Sequence, residues 1–394
     1  MPIKRRALLT GTGAALALWS LRARASDPAT AALLPLVEGP PLPPPDFTKL
    51  RAPDPHVVGV RPHRKGGVRL DVEVIGDKHV VHNYGHGGAG ITLSWGTASV
   101  AADRVDALLA TRPGAAVAIV GTGIAGLTTA STLRERHPAL ALTVYARDLD
   151  VRTTTSFIAG GQFEPSGICH EYKTAERQPE LHALLRTAHK KVVALHSKDA
   201  ARYGIAPRTN FTLDHEISPL DTHTPRDVVP AFQRGALPFE KLASVPGRAY
   251  RTWLMNPSIL MPTLRDELTA ARVQFVQRTF ATRADLSALP ERIVVNCTGF
   301  GARALLDDTD VTGQRGHLVV LDKTDPRQDW FFSGGCQNNV VAYVFCRQTD
   351  IIVGGTVGRS QDEPRVLPTD APVFDRLLRN GQALFGGDPA RCRR

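Results

Sequence analysis

Residues Val117–Gly126 read VAIVGTGIAG, in which four apolar residues run directly into a Gly-x-Gly-x-x-Gly pattern at Gly121, Gly123 and Gly126. Helical apolar spacing follows, and a second apolar run, 139–146, comes about twenty residues on, as a βαβ unit requires. The first glycine allows the tight turn, the second lets the backbone approach a pyrophosphate, and the third lets helix pack on strand. Since the helix N-terminus also offers free amide donors and a positive dipole end, the motif predicts a bound dinucleotide.

The ends of these two strands supply the first candidate cofactor contacts. The glycine turn contributes Gly121, Thr122, Gly123, Ile124, Ala125 and Gly126. An acidic residue that receives the ribose hydroxyls usually ends the second strand, but here Arg147 comes first and Asp148 follows it. Because Arg147 could instead meet a phosphate, NADP stays open at this point. Thr154 and Thr155 add hydroxyl groups and amides suited to a phosphate.

The charge distribution argues against nucleic-acid binding. The 394 residues carry a formal net charge of +10, but residues 1–25 hold five of the basic residues and no acidic one. The rest of the chain is only mildly basic, and no basic patch interleaved with aromatic residues indicates nucleic-acid binding.

Residues 1–25 have the pattern of a targeting segment. Lys4-Arg5-Arg6 precedes an apolar run, and Ala23-Arg24-Ala25 offers small residues for cleavage. The paired arginines and the weakly hydrophobic run favour twin-arginine export to the periplasm or the cell exterior. The run is shorter than the roughly 20 apolar residues of a membrane anchor, so no stable membrane insertion is expected after cleavage.

A second glycine-rich loop lies before the dinucleotide motif. Residues 26–55 are rich in proline and alanine and predict an extended surface linker. Glycines at 85, 87, 88 and 90 then open onto a predicted helix over 91–109, which makes a second site for an anion or a dipole. His82 and His86 flank these glycines without carboxylate or thiolate partners at ligand spacing, so no metal site is predicted.

The later part of the chain predicts a second, mixed domain. A helix is expected over 178–203, a strand over 273–280 and a last helix over 371–384. The apolar run Ile293–Asn296 followed by Cys297, Thr298 and Gly299 has the form of a later strand of the first sheet, with its carboxyl end at the ligand crevice. Five cysteines do not make a disulfide scaffold, although Cys336 and Cys346 could pair in an oxidising compartment.

At this point the sequence resembles a family, the D-amino-acid oxidases, which are FAD-dependent flavoproteins that include D-aspartate oxidase. The resemblance covers most of residues 56–385. It rests on VAIVGTGIAGLTTA, VYARDL, TTT, AGGQFEP, IVVNCTG, QRGHLVVLD and IIVGGT in the family's order, and on the highly specific HNYGHGGAGITLSWG and GVRP.

The last two blocks are out of the family's order. In the family they follow IIVGGT, whereas here they precede the dinucleotide strand, which indicates a circular permutant. A competing interpretation is that 56–110 completes a neighbouring subunit by domain swapping, for which the joint at 111–115 is short.

The resemblance implies an α/β fold: a Rossmann-like, doubly wound FAD-binding domain with a second mixed α+β substrate domain, circularly permuted. The implied organisation is a signal peptide, 1–25; a linker, 26–55; an FAD-binding domain, 56–169 plus 291–316, of which 56–110 is the permuted part; a substrate domain, 170–290 plus 317–385; and a tail, 386–394.

Site residues also follow from the resemblance. Arg61 matches an arginine that pairs with the substrate carboxylate, Tyr250 a tyrosine that reaches the same carboxylate, and Gly88 a glycine whose carbonyl receives the amine. The family's second, lid tyrosine is missing from 224–249. The FAD contacts implied beyond those above are Gly87, Ala89, Gly90, Ile91, Thr92, Gly160, Gly161, Gln162, Phe280, Cys297, Thr298 and Gly299.

The implied reaction is oxidative deamination of a D-amino acid, with FAD as cofactor and molecular oxygen as the electron acceptor. The products would be a 2-oxo acid, ammonia and hydrogen peroxide, and a homodimer is compatible with the family. Two alternatives stay open. One is a flavoprotein dehydrogenase or reductase with another acceptor, and the other is a catalytically silent flavin-binding protein.

Overall fold

The elements follow from a computed structural model of the chain, which describes residues 33–334, 340–356, 358–359 and 363–387. The strands are β1 (His56–Arg64), β2 (Val72–Ile75), β3 (Lys78–His82), β4 (Val117–Val120), β5 (Leu142–Ala146), β6 (Ile205–Leu213), β7 (Gln233–Ala236), β8 (Pro246–Met255), β9 (Gln274–Gln277), β10 (Ile293–Asn296), β11 (Val311–Asp322), β12 (Phe331–Gly334), β13 (Val340–Cys346), β14 (Asp350–Thr356) and β15 (Gly358–Arg359). The helices are α1 (Gly90–Ala110), α2 (Ile124–Arg136), α3 (Gln178–Tyr203), α4 (Pro219–Thr222), α5 (Pro257–Ala270), α6 (Arg283–Ser287), α7 (Ala302–Leu306) and α8 (Ala371–Phe385).

The first sheet contains the dinucleotide motif. Its order is β2-β3-β10-β4-β5-β9, in which β2 pairs antiparallel with β3 and the other neighbours are parallel. The apolar run of β4 is buried along its whole length, as expected of a central parallel strand. Helices α1 and α2 pack on this sheet, and α3 packs on α1, in one continuous apolar cluster.

The second sheet has nine strands in the order β1-β11-β14-β13-β12-β6-β8-β7, with β15 paired to β11. All of its neighbours pair antiparallel except β12 and β6. The fold is thus α/β with mixed sheets, and the described residues from Leu34 on form one compact unit.

Two strands lie in a different sheet from the one that the sequence analysis assigned. β1 was placed with the FAD-binding domain, yet all nine of its residues pair with β11 in the nine-stranded sheet. β9 was placed with the substrate domain, yet it is the edge strand beside β5. In both cases the chain crosses between sheets at loops whose composition gives no signal of the crossing.

The proline-rich segment is more than a surface linker. Phe47 is buried in an apolar cluster with Phe385 of α8, and their ring centroids lie 6.2 Å apart. Leu36 and Leu42 pack against the same cluster, and Leu36 donates a backbone hydrogen bond to Ala236 of β7. The few apolar residues among the prolines therefore dock this segment on the nine-stranded sheet.

Several predictions concern residues that lie outside the described ranges. These are the targeting segment 1–25, Cys336 and most of the tail. Within the described part of the chain, none of the helices combines the length and the apolar character that a bilayer crossing needs.

Candidate active site

The candidate site lies where three parallel strands end side by side. Asn296, the last residue of β10, is in register with His82 of β3 on one side and with Val120 of β4 on the other. The glycine loop 121–126, called here the dinucleotide loop, follows β4. The glycine loop 85–90, called here the second glycine loop, follows β3. Both loops therefore open at the same edge of the sheet, which is where ligands bind in folds of this kind.

The dinucleotide loop is packed too tightly for any side chain at two of its glycines. Gly121 has a φ of +120°, and a Cβ there would overlap the carbonyl oxygen of Cys297. A Cβ at Gly126 would overlap the carbonyl oxygen of Gly121, so α2 could not pack so closely on the turn. These contacts are the structural reason for the first and third glycines of the motif.

The remaining glycine leaves space for a ligand. Gly123 is the N-cap of α2, and the nearest atom to a Cβ placed there is the Ser156 hydroxyl at 3.5 Å. The Ser156 hydroxyl accepts a hydrogen bond of 3.2 Å from the amide of Ile124, while Gly123 has no side chain to cap the helix. The open side and the amides of the first helical turn fit the diphosphate of a dinucleotide.

Arg147 and Asp148 follow β5 with exposed side chains. Gln277 donates to the carbonyl of Arg147 over 3.0 Å, and the Thr122 hydroxyl donates to the carbonyl of Asp148 over 3.1 Å. The Asp148 carboxylate accepts from the amide of Asp150 at 2.9 Å. Both residues are thus held at the sheet edge by their backbones, next to the dinucleotide loop.

The turn after β10 is organised by Asn296. Its side-chain oxygen accepts hydrogen bonds from the amide and the hydroxyl of Thr298, at 3.1 and 2.7 Å. Cys297 is buried, and burial raises the pKa of its thiol to about 12. It is therefore a neutral packing group beneath Gly121, while Thr298 and Gly299 form the rim. Phe280 packs on the face of this sheet opposite to α1 and α2, with its ring edge-on to Tyr145 at 6.0 Å.

Two buried histidines, one before and one within the second glycine loop, are neutral because burial lowers their pKa. The ring of His86 lies 2.9 Å from the Thr97 hydroxyl, and burial lowers its pKa to about 4. The ring of His82 lies 3.2 Å from a Glu73 carboxylate oxygen. Burial, assisted by the charge of Arg69, lowers the pKa of His82 to about 4 as well. Both rings fix the loop that leads into α1.

Thr92 joins the second glycine loop to the stretch that contains the other predicted flavin contacts. Its hydroxyl donates to the carbonyl of Glu164 over 2.8 Å and accepts from the amide of Glu164 over 2.9 Å. Gln162 pairs with Leu254 of β8 and donates to the Glu164 carboxylate over 3.3 Å. The Thr92 hydroxyl also lies 3.3 Å from the carbonyl oxygen of Gln162, so the structure brings 87–92 and Gln162 together. Thr154 and Thr155 line a cavity with His56 and Val58 of β1.

Arg61 and Gly88, which the sequence analysis assigned to the substrate, are neighbours. A Cβ at Gly88 would lie 3.7 Å from Cδ of Arg61 and 3.0 Å from the carbonyl oxygen of Ser166. The Arg61 guanidinium donates to the carbonyl of Thr356 over 2.9 Å. Among the described residues it has no carboxylate partner, so most of its five donors are available to a ligand.

Tyr343 on β13 lies next to Arg61, and sequence reasoning missed it. Burial raises the pKa of its phenol, and the nearby Arg61 charge opposes that shift. Its ring stacks on Phe345 with centroids 4.5 Å apart and faces Gly354 and Gly355 of the neighbouring strand. The signal that could have identified it is the IIVGGT block, because Tyr343 pairs with Gly354 in this hairpin.

Tyr250 does not join this group. It is fully buried on β8, and five strands separate β8 from β1 in the sheet order. Its ring packs on Phe232 at 5.4 Å, and its hydroxyl has no hydrogen-bond partner among the described residues. Burial raises its pKa, while Arg248 lies near enough to oppose that shift without reaching hydrogen-bond geometry. The match by spacing to α5 pointed to the wrong strand of the sheet, and Tyr343 holds the expected position beside Arg61.

Several known proteins are similar to this chain. The family model described as DAO, FAD dependent oxidoreductase, matches residues 116–394. A D-amino-acid oxidase of Streptomyces coelicolor is 30% identical over 273 residues, which are 68% of this chain and 77% of the relative. A D-aspartate oxidase of Homo sapiens is 24% identical over 251 residues, covering 61% and 68%. The solved structure of glycine oxidase from Geobacillus kaustophilus gives a TM-score of 0.46 at 17% identity, over 65% of this chain and 74% of that one, a likeness too weak to assign more.

Proposed function

Since the chain belongs to the DAO family of FAD-dependent oxidoreductases and is therefore an enzyme with FAD as its cofactor, we propose that it deaminates D-amino acids oxidatively. The products would be a 2-oxo acid, ammonia and hydrogen peroxide. The observation that carries this proposal is the convergence of Arg61, Tyr343 and Gly88 beside the dinucleotide site. The 30% identical D-amino-acid oxidase of S. coelicolor supports it.

We assign the two ends of the cofactor to the two glycine loops. The amides at the start of α2 and the open face of Gly123 would hold the diphosphate, while Asp148 or Arg147 would meet the adenosine ribose. The residues 87–92 and 160–162, joined by Thr92, would hold the flavin end. When bound, FAD supplies the two-electron chemistry, taking a hydride from the substrate and passing the electrons to oxygen.

The substrate would be held at three points. The planar guanidinium of Arg61 suits bidentate binding of a carboxylate, and the Tyr343 hydroxyl adds a third donor to the same group. The carbonyl of Gly88 would accept a hydrogen bond from the amine. If the amine is bound neutral, its lone pair lets the α-hydrogen leave as hydride, and no side-chain base is needed. With the carboxylate and the amine fixed, one enantiomer presents its α-hydrogen to the cofactor and the other turns it away, and this selects the D form.

Peroxide production in air tests the proposal. Purified protein loaded with FAD should release peroxide and ammonia in equal amounts with D-alanine or D-aspartate, and release neither with the L-isomers. Turnover of the L-isomers would refute the D-specific assignment. Turnover of a D-amino acid with an artificial electron acceptor but without peroxide would identify a dehydrogenase instead.

We also propose that the chain is a circular permutant of its family. Counted from β4 along the chain and around to its start, the parallel strands are β4, β5, β9, β10 and β3. Their order in the sheet is then 3-2-1-4-5, which is the usual order of dinucleotide-binding folds. The fifth strand thus precedes the first in the sequence, and the family match begins at residue 116, just before β4.

The ends that a permutation must create lie close together. The His56 ring at the start of β1 stacks on Phe374 of α8 with centroids 4.3 Å apart. Val58 and Leu384 belong to one apolar cluster. These contacts and the pairing of β1 with β11 of the same chain favour permutation over exchange between subunits.

A reordered chain tests the permutation. It would begin at residue 116, run to 387, and continue through a short glycine-serine linker into 34–110. We expect it to fold, bind FAD and match the parent in turnover. A soluble reordered chain that fails to bind FAD would contradict the proposal.

The amino-terminal segment carries a separate proposal, namely export by the twin-arginine route. Replacing Arg5 and Arg6 together by lysine should leave the full-length precursor in the cytoplasm, because that route reads the paired arginines. Cell fractionation would measure this. Unchanged processing and location of the variant would contradict it.

A further inference from the structure

A cluster of metal-ligating side chains lies outside the site described above. Among the described residues, the Cys169 sulfur and one ring nitrogen each of His170 and His223 all lie within 4.8 Å of one another. Cys169 and His170 belong to a short 3-10 helix, Ile168–Tyr172, and His223 caps the end of α4. Fifty-three residues separate the two parts in the sequence, so no short motif announces the cluster.

A fourth histidine, His182 on α3, lies outside the 4.8 Å cluster but near it. Burial lowers the pKa of His223, and the charges of His170 and His182 lower it further. Nδ1 of His223 and Nε2 of His182 are both buried without a hydrogen-bond partner among the described residues. Buried ring nitrogens without partners are costly, and coordination of a cation would satisfy both.

We propose that Cys169, His170 and His223, with His182 as the fourth ligand, form a structural zinc site. One thiolate and three imidazole nitrogens are ligands that Zn²⁺ prefers in tetrahedral geometry. Ligand atoms in such a site are about 3.5 Å apart, given Zn–N and Zn–S bonds of about 2.0–2.3 Å. The three clustered atoms therefore need only a small contraction, and the His182 ring must move to join them.

The surroundings suit a cation. The buried carboxyl of Glu164 lies near enough to Cys169 for its charge to act on the thiol. Arg186, whose charge acts on His182, forms a two-point ion pair with Asp227 at 2.7 and 3.0 Å. An added divalent ion would therefore favour the charged form of Glu164, against the burial that raises its pKa, and the neighbouring positive charge is already paired.

The position suggests what the metal does. Cys169 lies three residues after Ser166, whose carbonyl oxygen would be 3.0 Å from a Cβ at Gly88. A metal that ties the 3-10 helix to α3 and α4 would hold the segment against which Gly88 rests. The inference concerns this chain's own residues and stands whether or not the proposed substrate is correct.

Metal content and cobalt spectroscopy test the site in the tag-free, FAD-loaded full chain. We expect one zinc per chain, resistant to dialysis, and after replacement by Co²⁺ the thiolate-to-cobalt charge-transfer band and strong visible bands of a tetrahedral site. Cys169→Ser should abolish the charge-transfer band, and His223→Ala and His182→Ala should each weaken binding at least tenfold. Cys346→Ser and His215→Ala, which change a buried cysteine and an exposed histidine elsewhere, should bind as the parent does.

Thermal unfolding gives a second readout that does not depend on activity. Added zinc should raise the Tm of the metal-free parent and of the two control variants by several degrees, and it should leave the Cys169→Ser variant unchanged. A parent that binds neither zinc nor cobalt, or a Cys169→Ser variant that keeps the charge-transfer band, would overturn the proposal. Undiminished binding by His182→Ala would remove that residue from the ligand set.

Discussion

The two glycine loops of this enzyme begin at neighbouring strand ends and look alike in sequence, yet they rest on different partners. The closest contacts of the dinucleotide loop are with backbone, since Gly121 faces the Cys297 carbonyl and Gly126 faces that of Gly121. The second glycine loop also meets side chains of β1, with Gly85 facing Arg64, Gly87 facing His63, and Gly88 lying between the Ser166 carbonyl and Arg61. One loop therefore offers backbone to the proposed diphosphate site, and the other holds backbone against the arginine that we assign to the substrate.

A glycine pattern thus shows where the loop backbone comes close to another part of the molecule, and the neighbouring strand determines which group lies there. β10 delivers a backbone turn to the first loop, and β1 delivers an arginine to the second. The predictions below separate these two roles.

The largest effect is expected from Gly126→Ala. Its Cβ would overlap the carbonyl oxygen of Gly121, so α2 must move off the turn, at a cost of about 3 kcal/mol or more in the free energy of unfolding. FAD content and urea unfolding of the FAD-free protein would measure this. The matched variant is Gly123→Ala, whose Cβ meets only the Ser156 hydroxyl at 3.5 Å. It should keep the stability of the FAD-free protein while losing FAD affinity, and equal stability of both variants would contradict the packing argument.

Arg61→Met should come next and should act on the substrate alone. Removing a charged partner of a carboxylate costs about 2–5 kcal/mol, so kcat/KM should fall by about 30-fold or more. FAD should stay bound, because the dinucleotide loop that we assign to the diphosphate is unchanged and Met keeps an aliphatic stem where Cδ of Arg61 packs on Gly88. Steady-state kinetics and the flavin spectrum would check both parts, and an unchanged kcat/KM would remove Arg61 from the site.

Tyr343→Phe should have a smaller effect and decides between two tyrosines. Loss of one hydrogen bond to a charged group costs about 1.5–3 kcal/mol, which predicts a decrease of about tenfold or more in kcat/KM. Tyr250→Phe is the matched control and should leave the kinetics nearly unchanged, since the Tyr250 hydroxyl is buried on β8. A loss of kcat/KM in the Tyr250 variant alone would restore the original assignment from sequence.

The smallest effect is a pH dependence of stability that arises in the second loop. His86 has a folded pKa of about 4, against 6.5 for the free side chain. A lowered folded pKa favours the neutral ring, so this contribution is complete above pH 6.5 and is lost as the pH falls toward 4. By pH 5 the loss amounts to about 2 kcal/mol in the free energy of unfolding. Urea unfolding at pH 8 and pH 5 should show a smaller difference for His86→Asn than for the parent, and His215→Asn should behave as the parent does.

The sequence predicted the parts of this molecule that local pattern determines. VAIVGTGIAG specified a strand, a turn and a helix because backbone packing there admits no other residues at Gly121 and Gly126. The helix over 178–203 was found with its observed bounds because a long apolar periodicity is a strong signal. The resemblance also predicted that Arg61 and Gly88 lie in the same site, although twenty-six residues and a change of sheet lie between them.

What escaped prediction depends on strand register and on contacts distant in sequence. Tyr343 meets Arg61 only through the order of β13, β14 and β11, which apolar patterns do not reveal. The alternation of apolar and polar residues in β9 would suit a strand of either sheet, so its composition could not show which sheet it joins. The cluster of Cys169, His170 and His223 likewise forms only when the 3-10 helix and α4 are brought together.

The most direct test of the central claim is anaerobic reduction of the FAD-loaded protein by matched D- and L-amino acids. D-isomers should bleach the flavin absorbance, L-isomers should not, and air should restore the colour with release of peroxide. Arg61→Met should stay yellow at substrate concentrations that bleach the parent. Bleaching by L-isomers, or a parent that keeps FAD and is bleached by no amino acid, would contradict the account.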